Sequence, residues 1–137
     1  MKFARIVFLI AGVYGLLALL PQYFLENQTG RDYPPPITHP EFYYGFIGVG
    51  VAWQLVFLVL SRDPVRYRPL MLPAVVEKAS FLIPAILLYL QQRISPVMLG
   101  AASVDGVLGV LFIAAYLKTA SLADDTRRIE TSRYRPG

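Results

Sequence analysis

Three ionisable residues stand inside long apolar stretches of this chain: Glu77, Lys78 and Asp105. An unpaired charge at the centre of a bilayer costs from ~2.5 to more than 10 kcal/mol, so such residues turn toward protein and find partners. Two carboxyl groups in a dry setting suit proton transfer, as general acid and base, or the anchoring of a polar headgroup. Glu77 and Asp105 are therefore the candidate catalytic residues. With Tyr14, Gln54, Lys78 and Ser80 they form a candidate ligand-binding set. At about 1.5 Å rise per helical residue, Gln54 lies ~9 Å, Glu77 and Lys78 ~10–12 Å, Tyr14 ~15 Å and Asp105 ~18 Å from one membrane face. All fall in one band of depth.

Adjacent residues diverge by about 100° around a helix. Glu77 is expected to turn inward with Ser80 and Pro84. Lys78 is expected either to pair with Asp105 or to snorkel toward the membrane surface on its flexible stem. The same residues also support a structural reading, in which an ion-pair network holds the helices in register.

Four apolar runs must carry these residues, at about 3–25, 42–60, 70–91 and 97–117. A run of about 20 such residues crosses the ~30 Å hydrocarbon core. The chain is 55% hydrophobic and 16% charged, against about a quarter charged in soluble domains. The expected fold class is all-α, a four-transmembrane-helix antiparallel bundle over 1–117 with a basic tail at 118–137. The first run begins like a signal peptide. No small-x-small cleavage pattern precedes its polar flank, so it is read as a retained helix.

Small residues mark the faces on which membrane helices pack. They are Gly12 and Gly15 in the first run, Gly45, Gly48 and Ala52 in the second, and Ala101, Ala102, Gly106 and Gly109 in the fourth. Asp105 shares its stripe with Ala101, Ala102 and Gly109, which turns it inward. Pro84 is expected to kink the third run and to free the carbonyl of Ser80. The connection 26–41 holds Pro34, Pro35 and Pro36, a triple proline that disfavours helix and is expected to be extended. Asn27-Gln28-Thr29 matches a glycosylation acceptor, a short pattern that arises often by chance.

Charge orients the runs. Lys2, Arg5, Arg62, Arg66, Arg68 and five basic residues from Lys118 onward fall on one side, ten of 13 in all. Cytoplasmic loops carry such an excess, so both termini are expected in the cytoplasm. The basic residues thus act as topology signals for contact with anionic lipid, and nucleic acid is excluded as a partner. No cysteine is present, and the single histidine, His39, cannot build a metal site alone.

The length, the four runs, the polar first connection and the glycine runs Gly45-Phe46-Ile47-Gly48-Val49-Gly50 and Gly106-Val107-Leu108-Gly109 resemble small bacterial four-helix membrane proteins of the DoxX-like group. That resemblance implies a left-handed bundle in a bacterial inner membrane and an association with quinone-coupled membrane oxidoreductases. It implies no catalytic residue. Three functions are expected in descending order. The first is an accessory subunit or a binder of quinone or lipid, without its own catalysis, in contact with the bilayer and with a membrane-complex partner or a second copy. The second is an embedded acid–base enzyme acting on a lipid-like substrate. The third is an oligomeric transporter.

Overall fold

The computed structural model describes residues 1–120, so the tail expected over 118–137 lies mostly outside the described residues. Those residues are helical, with four long apolar helices. α1 is Lys2–Leu19, α2 Glu26–Asp32, α3 Pro40–Arg62, α4 Met71–Leu90 and α5 Pro96–Lys118. With their short 3-10 extensions, α1 and α4 reach 23 residues, the length of α3 and α5. At about 1.5 Å per residue, that length crosses a bilayer with room for tilt.

Proline explains the two extensions. Pro21 has no N–H for the preceding turn, and the chain tightens to a 3-10 helix over Leu20–Phe24. Pro69 does the same over Arg68–Leu70 at the entry to α4. Pro84 lies inside α4, which continues through it as one helix.

Neighbouring helices run in opposite directions. Gly12 faces Leu58, Gly15 faces Gln54 and Gly50 faces Leu19, so numbers rise on α1 as they fall on α3. Lys78 lies against Gly109 and Leu82 against Gly106, which sets the same opposed register for α4 and α5. The fold is thus two hairpins, α1–α3 and α4–α5. α1 joins them by packing on α5, whereas α3 and α4 touch only lightly.

The core gathers at the end of the bundle that carries Lys2, Arg62 and Lys118. Phe8 stacks on Phe112 at 4.4 Å between ring centroids, and Phe57 meets Phe112 edge-on at 5.0 Å. Ala4, Ala11, Leu60, Met71, Ala74 and Ala115 close around these rings. Interlocked aromatic rings have a preferred geometry worth about 0.5–1.5 kcal/mol per pair beyond area burial. They therefore fix the relative rotation of α1, α3 and α5. Large apolar residues such as Leu17, Phe46, Val76 and Val107 point outward, as lipid-facing surfaces must.

At the opposite end, the connection begins with the seven-residue helix α2, before its prolines. Two tyrosines at the start of α3 hold it down. The Tyr44 hydroxyl donates to Glu26 Oε2 at 2.7 Å, and the Tyr43 hydroxyl donates to the Gln22 carbonyl at 2.8 Å. Pro34–Pro36 remain outside helix.

Candidate functional site

The α4–α5 turn sets the register on which the site depends. Gln92 takes a left-handed conformation, φ 57°. The Arg93 N–H donates to the Leu88 carbonyl and the Gln92 N–H to the Tyr89 carbonyl, both at 2.9 Å. This closes α4 in a Schellman motif. Ser95 then caps α5 by accepting from the Met98 N–H at 3.3 Å. A rigid turn this short leaves little freedom in how the two helices align.

In that register Lys78 crosses to α5. Its ammonium donates to Asp105 Oδ1 at 2.9 Å and to Glu77 Oε1 at 3.4 Å. Glu77 Oε2 lies 3.2 Å from the same nitrogen, within ion-pair distance. That oxygen is buried and accepts no hydrogen bond. The Lys78 nitrogen also stands 5.3 Å from the centre of the Phe57 ring, which attracts it through the ring quadrupole. Lys78 is 5% exposed, and the side chains of Glu77 and Asp105 are 18% and 20% exposed.

Three of the six expected site residues therefore meet: Glu77, Lys78 and Asp105. Of the two expectations for Lys78, pairing with Asp105 is the one observed. Lys78 is the most inward of the three, ahead of Glu77. The divergence between neighbours holds for their Cβ directions, but the four-carbon lysine stem folds its charge back toward Glu77.

The other three residues do not join the triad. Tyr14 is 47% exposed, on the lipid-facing side of α1. Ser80 is also exposed, and its hydroxyl donates to the Glu77 carbonyl at 2.7 Å. The inward face of α4 is Ala74, Lys78 and Ala85. Ser80 and Pro84 lie across the helix from it, which corrects the expectation that they turn inward with Glu77. Gln54 is buried but belongs to the α1–α3 seam. Its amide donates to the Gly50 carbonyl at 3.0 Å, and its side chain fills the space that Gly15 leaves open. Depth alone grouped these residues; rotation about each helix separates them.

Phe57 was not among the expected site residues. An apolar residue in an apolar run carries no mark of its role, and only the packing of α3 against Lys78 reveals it. At the outer surface of α4 and α5, a groove of about 490 Å³ is lined by Leu82, Ser103, Gly106, Val107, Val110 and Leu111. By helical spacing, Ser103, Val107 and Val110 face away from Asp105, so groove and triad occupy opposite sides of α5. Comparison with protein-family models, with curated proteins and with solved structures finds no match to this chain.

Proposed function

We propose that this integral membrane protein acts by binding, as an accessory subunit of a membrane complex or as a holder of a quinone or lipid, without catalysis of its own. The observation that supports this reading is the position of the Lys78 ammonium. It stands between the two carboxyl groups, 2.9 Å from Asp105 and 3.2 Å from Glu77. A general acid or base must reach the proton it transfers. Here both candidates are already engaged with an internal cation, which suits a register-fixing ion cluster. The groove on the outer face of α4 and α5 is apolar apart from Ser103 and suits an isoprenoid or acyl tail.

The orientation proposed with this function puts both termini in the cytoplasm of a bacterium, with the chain in its inner membrane. The basic residues Lys2, Arg5, Arg62, Arg66, Arg68 and Lys118 support it. One observation favours a second reading, acid–base chemistry on a lipid-like substrate: Glu77 Oε2 accepts no hydrogen bond. A transporter would require association of several copies.

Native mass spectrometry of protein extracted gently from its own membrane, with lipid identification, tests the proposal. The expected result is a stoichiometric protein partner or a retained quinone or lipid. A bare monomer would overturn it. If Glu77→Gln and Asp105→Asn both fold, keep the bound molecule and yet lose the phenotype that the wild type complements, the enzymatic reading replaces it.

A further inference from the structure

Among the described residues, the triad is one positive charge short. Two carboxylates and one ammonium leave a net negative charge in the interior of a membrane bundle. Among the described residues, the only ion pairs at this site are those of Lys78 with Glu77 and Asp105. The elements packed around it supply no further cation: α3 presents the Phe57 ring, α5 presents Asp105 and the backbone at Gly109, and Arg68 at the entry to α4 is engaged with Tyr116. An uncompensated buried charge costs several kcal/mol.

The two carboxyl groups are also unequal. Asp105 receives the short 2.9 Å hydrogen bond from Lys78. Glu77 receives the longer one on Oε1, at 3.4 Å, and its Oε2 stands 3.2 Å from the same ammonium as an ion pair without a hydrogen bond. The ammonium holds Glu77 less closely than Asp105, so a proton on Glu77 gives up the weaker of the two ion pairs.

We infer that the folded triad holds one proton, delivered by hydronium from bulk water and bonded to the Glu77 carboxyl group, so that Glu77 is a carboxylic acid beside a Lys78–Asp105 ion pair. One O–H bond of hydronium breaks, one O–H bond forms on Glu77, a water molecule is released, and the net charge of the site becomes zero. This proton is independent of any bound lipophile, and it makes the protein an intramembrane proton-binding site. Glu77 then becomes a hydrogen-bond donor where it would otherwise be an acceptor.

Infrared spectroscopy of the full chain in lipid at neutral pH tests the charge count. The wild type is expected to show one carboxylic-acid C=O band that shifts in D₂O. Glu77→Gln removes it. Asp105→Asn also removes it, because one carboxylate then balances one ammonium. Lys78→Met gives two such bands. Circular dichroism establishes which variants fold, and either carboxamide variant alone suffices, compared with wild type. Absence of the band in wild type overturns the inference, as does its persistence in folded Asp105→Asn, which would mark Glu77 as protonated for reasons other than charge balance. Replacing Asp105 by Glu should leave the band where it is, whereas Glu77→Asp should move it; the reverse pattern would overturn the assignment to Glu77.

Discussion

Lys78 shows why a buried ion cluster is a poor source of stability and yet costly to break. Taking an ammonium, a carboxylate and a second carboxyl group out of water carries a penalty that their attraction only partly offsets. Removing the central cation leaves two carboxyl groups facing each other with no partner. Lys78→Met is therefore expected to destabilise the protein by about 3–5 kcal/mol, the range for breaking buried pairs. Thermal or denaturant unfolding in detergent measures it, and a loss below about 1 kcal/mol would mean that the carboxyl groups reach water without Lys78. Removing the lysine together with Glu77 and Asp105, with apolar residues of similar volume in their places, should recover most of the loss. The penalty comes from two buried carboxyl groups left without a donor more than from the lost contact. Glu77, Lys78 and Asp105 were legible as a group because charge in an apolar run is conspicuous. That Lys78 rather than Glu77 is innermost was not legible, since it depends on how far a flexible stem reaches.

At the scale of the elements, the α1–α3 seam relies on missing side chains. A Cβ at Gly12 would come within 2.8 Å of Leu58 and 3.0 Å of the Gln54 carbonyl oxygen. A Cβ at Gly15 would fall within 2.8 Å of Gln54 Cγ and closer still to its amide. Gln54 is 3% exposed and has little room to withdraw. Gly15→Ala should therefore cost about 1–3 kcal/mol, the usual penalty for overpacking. Gln54→Ala, by opening the same space, should recover most of that cost in the double variant. A thermal-melt double-mutant cycle reads the coupling; additive effects would mean that the seam relaxes without Gln54. The glycines of the first run were recognised as a contact face from the sequence. Their partner was not, because Gln54 had been grouped with the triad by depth, and depth ignores the side of the helix on which a residue stands.

The whole molecule is a pair of hairpins with a tightly packed aromatic end and a lightly joined α3–α4 face. Its proposed orientation has a direct check, helped by the absence of native cysteine. Asn27→Cys in the α2 segment should react with a membrane-impermeant thiol reagent added to intact cells. Val65→Cys, between α3 and α4, should react only after the membrane is opened. The reverse pattern would invert the topology.

The sequence by itself determined four helices and their approximate ends, since the length of an apolar run is matched to a membrane and needs no tertiary contact. It also showed which residues are too polar to face lipid. The short helix α2, the 3-10 entries at Pro21 and Pro69, and the course of α4 through Pro84 depended on local hydrogen bonds and on neighbours. Only the tertiary structure decided which polar residues meet. Tyr14 and Ser80 turn outward, Gln54 serves a seam, and Phe57 joins Lys78. The physical reason is that composition and spacing fix position along a helix axis, whereas meeting a partner also requires the rotation and register of two helices, and these are set by the packing of Phe8, Phe57 and Phe112 and by the Gln92 turn.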